Sequence, residues 1–373
     1  MYTNKYFTFY YKSIIYIFAI MIYGFPLNLK AQNAKCDTIT SDDREIRIMN
    51  QNDITNKRLE IINAIWDTNQ IPGRSNVIVT SGIVSPLNPS AFVSRVDKIE
   101  IPLQYCSGGD PIKDLAYLFI PAKRNNRLVL FCPGHSCSIK SQPAKKDPRI
   151  EATILGLVEA GYDVLSVYMP HVSETNCNLN HCSIINSDLG IKNPKPTFGL
   201  RLFLEPTIVS LNYLLQLYEY TDVNMVGLSG GGWTTNLIAA IDPRIKYSFS
   251  VAGSTPIYYR WKGSIGDIEQ FMPELYRDIA GYPDLYVLGA FGPGRKQVQI
   301  LNIKDDCCFG INQHNPNRDY FADLRTYEKT VIDRLNVLSA KGQYYLVIDE
   351  VATNHQISTY ALNNVILPEL NRK

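Results

Sequence analysis

Val223-Asn224-Met225-Val226-Gly227-Leu228-Ser229-Gly230-Gly231 carries an apolar run with strand character into a serine flanked by glycines, and Gly230 to Ile241 continues as an apolar helical stretch stopped by Asp242-Pro243. The serine sits in a G-x-S-x-G sequence between a hydrophobic strand and a helix. A turn that tight holds its central residue at a strained backbone angle, and glycine two positions to either side leaves room for the chain to fold beneath it. The serine then projects above the sheet edge while the first amides of the helix face any negative charge that develops there. Ser229 is therefore the candidate nucleophile, and the N–H of Gly230 a candidate donor to an oxyanion.

Working outward, strands alternate with helices. Ile150, Ile154, Leu157 and Val158 share a helical face that Gly161 ends, Tyr162 to Tyr168 reads as a buried strand, and Phe198 to Tyr220 is a second helix. After the serine come strands at Ile245 to Val251, Gln297 to Ile303 and Gln343 to Ile348, with a long helix marked by Phe321, Leu324, Val331, Leu335 and Leu338. The pattern predicts an α/β fold, a mostly parallel central sheet flanked by helices on both faces. Earlier strands at Val96 to Leu103, Leu115 to Ile120 and Arg127 to Cys132 have no helices between them and fit an antiparallel start. Two stretches interrupt the alternation: polar Pro170 to Pro196, and Gly253 to Pro283 with Tyr258, Tyr259, Trp261, Phe271 and Tyr276. Both follow presumed strand ends, where open α/β sheets place ligands, and both read as substrate-facing, cap-like loops.

A serine hydroxyl is a weak nucleophile until a base takes its proton and an acid orients that base. His355 follows the terminal strand in Ala352-Thr353-Asn354-His355-Gln356, where the base belongs in the order serine, acid, histidine. The strand Gln297 to Ile303 leads into Lys304-Asp305-Asp306; counting from the strand end favours Asp305 as the acid, with Asp306 the alternative. A second oxyanion donor is expected from Pro133-Gly134-His135-Ser136, after the strand that ends at Cys132, by position the N–H of His135, with Ser136 next.

Composition sets the frame. The chain has 373 residues, 45% hydrophobic and 19% charged, which is ordinary for a globular protein. Residues 1–31 read as a secretory signal: Lys5 and Lys12 precede apolar Ser13 to Leu29, and Leu29-Lys30-Ala31 ends on a small residue. Residues 32–94 read as an N-terminal flank with a helix over Asp53 to Trp66, and 95–373 as the catalytic domain. Removing Lys5, Lys12 and Lys30 from the 37 basic residues leaves 34 against 35 acidic, a balance that argues against a nucleic-acid partner. The expected location is secreted or periplasmic, with no stable membrane partner. All eight cysteines follow the signal, an even number consistent with disulfides. Cys177 and Cys182 bracket a short loop that a bridge would pin, whereas Cys307 and Cys308 either pair with each other or reach separate partners. His135, His171 and His181 fall near cysteines in sequence, but at intervals that match no zinc pattern.

From about Val96 onward, these motifs resemble the α/β-hydrolase superfamily and particularly its secreted bacterial esterase-like branches. The resemblance implies a Ser229, Asp305, His355 triad working without metal or organic cofactor, which fits carboxylic ester hydrolysis through an acyl-serine; an aromatic-lined entrance and the predicted export point to a small-molecule or polymer-borne ester such as an acylated carbohydrate. Two features depart from the usual pattern: Pro133-Gly134 stands where His-Gly is common, and Cys307-Cys308-Phe309 follows the acid. A prolyl-oligopeptidase-like serine peptidase is the alternative enzyme, although the residues before the sheet show no blade repeats. A non-catalytic binding protein on the same fold is the alternative from another class.

Overall fold

The parallel half of the sheet begins where the sequence starts to alternate strand and helix. The computed structural model describes residues 45–84, 91–103, 112–135, 148–170, 196–261 and 266–372, all within one compact unit, Thr40–Lys373. The expected signal, the interior of the Pro170 to Pro196 loop, Ser136, His171, His181 and Cys36, Cys106, Cys137, Cys177 and Cys182 lie outside the described residues.

In chain order the elements are α1 (Gln51–Trp66), β1 (Ile78–Thr80), β2 (Val93–Leu103), β3 (Ile112–Pro121), β4 (Arg127–Cys132), α2 (Pro148–Glu159), β5 (Asp163–Val167), α3 (Arg201–Leu217), β6 (Asp222–Leu228), α4 (Gly230–Ile241) and β7 (Ile245–Val251). They continue with the short α5 (Pro273–Tyr276), α6 (Tyr282–Ala290), β8 (Lys296–Asn302), α7 (Tyr320–Val337), β9 (Gln343–Asp349), a π-helical turn over Ala361–Ile366, and α8 (Leu367–Leu370). The nine strands form one sheet in the order β1-β2-β3-β5-β4-β6-β7-β8-β9. β1, β2 and β3 pair antiparallel, as does β3 with β5; every pair from β5-β4 to β8-β9 is parallel. The antiparallel start holds for β2 and β3, but β4, expected in it, pairs parallel with both β5 and β6 and leaves β5 as the antiparallel partner of β3, because the crossover through α2 sets β5 between β3 and β4. The sheet also reaches into the segment read as a flank, because β1 lies within 32–94.

Burial explains the sequence pattern. β8 is buried at every position and β6 at all but its first, as strands covered on both faces must be. Ile150, Ile154, Leu157 and Val158 of α2 all lie at 1% exposure or less. On α1, an Asn50/Asp53 capping box closes the first turn, and Arg58 donates to the carbonyls of Ala240 (3.0 Å) and Leu288 (2.9 Å), tying α1 to the last turns of α4 and α6. None of the helices among the described residues is long and apolar enough to cross a membrane.

Two expectations change. Of the apolar residues that mark the long helix, Phe321 is exposed and Tyr320 is buried instead, because the helix starts at Tyr320 behind the Asp319 N-cap and turns Phe321 outward. The aromatics of Gly253 to Pro283 are mostly core rather than cleft lining: Tyr259, Phe271 and Tyr276 are buried, while Trp261 is exposed. Tyr276 stacks on Tyr282 with centroids 4.7 Å apart and its hydroxyl accepts from Trp233 Nε1 at 2.5 Å, so Tyr276 ties this segment to α4.

Candidate active site

The strand-to-helix turn at Ser229 has the strain its sequence demands. Ser229 adopts φ 59° and ψ −129°, a region that a residue with a side chain enters only when its surroundings compel it. Its N–H donates to Val251 O on β7 (2.9 Å) and its carbonyl accepts from Trp233 N (3.0 Å), so the turn is held from strand and helix together. The neighbouring glycines are needed for space: a Cβ on Gly227 would fall 2.1 Å from Gly231 O, and one on Gly231 would fall 1.9 Å from Cys132 O.

The loop after β4 lies directly over this turn. A Cβ built on Gly134 (φ +70°) would sit 3.1 Å from Ser229 Cβ and 3.3 Å from Gly230 N, and one on Gly230 would sit 3.1 Å from Cε1 of His135. Gly230 and His135 are therefore neighbours beside the serine. The His135 ring also faces Asp267, its Nε2 lying 3.2 Å from a carboxylate oxygen, with both side chains partly exposed.

Asp305 and His355, fifty positions apart, meet in space. Nδ1 of His355 lies 3.0 and 2.9 Å from the two Asp305 oxygens. The Asp305 side chain is fully buried and that of His355 is 18% exposed. Asp305 Oδ1 also accepts from the backbone N–H groups of Cys307 (2.8 Å) and Cys308 (3.1 Å). Burial alone would raise the Asp305 carboxyl, but the His355 hydrogen bond and charge, with those two N–H donors, outweigh it and hold the group below its ordinary value. An ionised carboxylate only accepts, so Nδ1 carries the proton and Nε2 is left as the acceptor nitrogen. Nε2 is buried and makes no hydrogen bond.

Asp306 faces elsewhere. Its carboxylate accepts from the backbone N–H of His355 at 3.0 Å and not from the ring. Neighbouring strands relate the serine to this pair: Leu228 is opposite Val251, and Val251 opposite Ile300, which spans two strand spacings, or about 10 Å. Two residues past Ile300, Asn302 donates its side-chain amide to the carbonyls of Asn354 (3.0 Å) and Gln356 (2.8 Å). Ser229, Asp305 and His355 thus occupy one end of the sheet, with no direct hydrogen bond between Ser229 and His355. Catalytic hydrogen bonds often tighten only once substrate is bound.

Cys307 and Cys308 are joined to each other by a disulfide. Their sulfurs and a ring nitrogen of His355 lie within 4.8 Å of one another, but sulfurs in a disulfide lack the thiolate charge that a soft cation needs. Cys132 is a buried free thiol that burial pushes up to about 12. A separate cavity of about 600 Å³ lies against Trp66, Gln70, Arg74 and Glu205, where both Glu205 oxygens are already engaged by Trp66 and Arg74. Sequence reasoning missed Asn302 and the two cysteine N–H groups, because nothing in local spacing reveals which strand end faces which loop.

No protein-family model matches the chain, and no curated protein matches it by sequence. Solved structures do. A CE15 glucuronoyl esterase from Teredinibacter turnerae superposes with a TM-score of 0.55 at 13% identity, over 90% of this chain and 90% of that one. A glucuronoyl esterase from Solibacter usitatus gives 0.54 at 11%, over 84% of this chain and 90% of that one. The methylesterase BT1017 gives 0.55 at 11%, over 89% of this chain; the chain spans only 65% of that protein's length. With the strand order and the strained serine turn, these likenesses establish that the chain has the α/β-hydrolase fold.

Proposed function

We propose that this protein is a serine hydrolase that cleaves carboxylic esters through an acyl-Ser229 intermediate. The reading is carried by His355, held by a buried, ionised Asp305 on one ring nitrogen and left without a partner on the other, at the sheet end where Ser229 occupies a strained turn. In this mechanism Nε2 removes the Ser229 proton as Oγ attacks the ester carbonyl. Asp305 stays ionised and stabilises the imidazolium. The N–H groups of Gly230 and His135 donate to the oxyanion, His355 returns the proton to the leaving alcohol, and a water activated by Nε2 then releases the acid. Every step uses groups of the chain and water.

Within that class we favour an exported enzyme acting on esters borne by carbohydrate. The support is the predicted signal over 1–31, the disulfide at Cys307 and Cys308, and overlay on proteins named as glucuronoyl esterases and a methylesterase. Incubation of the mature protein with a fluorophosphonate, followed by acylated-sugar, short-chain acyl and aminoacyl reporters, tests the proposal. Labelling at Ser229 with ester cleavage faster than amide cleavage is the expected result. Absence of labelling rules against hydrolysis and favours a binding role, and faster amide cleavage favours a peptidase.

A further inference from the structure

Hydrogen bonds hold the backbone of His355, its Nδ1 and the carbonyls of the residues beside it, and all but one of these restraints come from the segment that also supplies the acid. Asn302, with 0% exposure, uses the two hydrogens of one amide to grip the carbonyls on either side of the histidine, Asn354 O and Gln356 O. Asp306 accepts the His355 N–H (3.0 Å) and Asp305 takes the ring (2.9 Å). The remaining restraint is Arg149, which donates to the His355 carbonyl at 3.1 Å. The stretch from Asn302 to Asp306 is itself a closed turn, with Asp305 N donating to Asn302 O at 3.1 Å. Three side chains within five consecutive residues therefore fix one histidine, so a displacement of this turn carries acid and base together and preserves their contact.

From this geometry, and resting on the hydrolase reading above, we infer that Asn302 and Asp306 are positioning residues that aim the His355 imidazole, Asp306 through an acceptor oxygen rather than through its charge. The distinction is chemical. An acid that stabilises imidazolium needs its negative charge, whereas an acceptor for a backbone N–H works equally well as a carboxamide oxygen. Asp306→Asn preserves that acceptor and Asp306→Ala deletes it; because Asp306 is exposed, neither change opens a core cavity. Asn302→Ala removes both amide donors, leaving two carbonyls near the base without this partner, at a buried site where folding must be checked separately.

The experiment measures kcat and KM for p-nitrophenyl acetate across pH, the thermal midpoint, and the low-field Nδ1 proton resonance of His355 in the full mature protein. Asp306→Ala is expected to lower kcat by about 10- to 100-fold, as misplacement of a reacting group does, with KM within about twofold of the parent. The Nδ1 resonance should broaden or move, and Asp306→Asn should restore both signals to near the parent values. Asn302→Ala should reproduce the Asp306→Ala pattern. Parent-like kcat and resonance in Asp306→Ala would overturn the inference, and so would an Asp306→Asn as impaired as Asp306→Ala. If the unmodified protein neither labels nor turns over ester, the hydrolase reading falls; the resonance, which requires no turnover, then decides the positioning role by the same comparison.

Discussion

Nδ1 of His355 lies within 3.0 Å of both oxygens of Asp305, and those oxygens are buried where water does not screen them. In such a setting an ionised carboxylate and the imidazolium formed during turnover attract more strongly than they would in solvent. The pair also selects the tautomer that leaves Nε2 free to take a proton.

Asp305→Asn should therefore cut kcat by roughly 10⁴, because the carboxamide neither stabilises imidazolium nor enforces the tautomer. Steady-state kinetics with a chromogenic ester checks this. A loss larger in Asp306→Asn than in Asp305→Asn would show that the acid has been assigned to the wrong neighbour.

The lowered Asp305 group also predicts an acid dependence of stability. A carboxyl held below its ordinary value of 3.8 in the folded state contributes stability that is fully present above that value. The contribution is lost as pH falls through the lower, folded-state value. The stability difference between the parent and Asp305→Asn should shift against the parent as pH falls below 3.8, as read from urea unfolding midpoints. A difference that stays constant to the lowest pH measured would refute the assignment.

Ser229→Ala should reduce turnover by about 10⁴ to 10⁶ and abolish fluorophosphonate labelling without unfolding the protein. Ser229→Gly should be equally inactive but more stable than the alanine variant by about 1 to 3 kcal/mol. Glycine relieves a φ of 59° that alanine cannot, and equal denaturation midpoints for the two variants would mean that the turn is not strained.

Gly231→Ala should destabilise the protein by at least about 2 kcal/mol and abolish ester cleavage, since the added carbon would fall 1.9 Å from Cys132 O. A thermal midpoint and an activity measurement on the one preparation suffice; a variant with parent-like values would place the β4 strand end farther from the helix.

Tyr276→Phe should leave kcat unchanged and lower stability by about 1 to 3 kcal/mol, because it deprives buried Trp233 Nε1 and the Glu269 carbonyl of their shared partner. A fall in kcat with no loss of stability would instead return the aromatic segment to the substrate cleft.

What the sequence by itself determined was local: the alternation of apolar strands with helices, the glycine-flanked serine, and the chain order in which Ser229, Asp305 and His355 follow the ends of β6, β8 and β9. These are legible because hydrophobic period and glycine placement act over a few residues. Only tertiary structure decided between Asp305 and Asp306 as partner of the imidazole, since adjacent carboxylates share composition and spacing and differ only in direction. It alone turned Tyr259, Phe271 and Tyr276 into core, because an aromatic run reads the same whether its neighbours are solvent or packed protein. It also brought the Asn302 amide onto the carbonyls flanking His355, a contact set by the register between β8 and β9 and by the path of the loop beyond them.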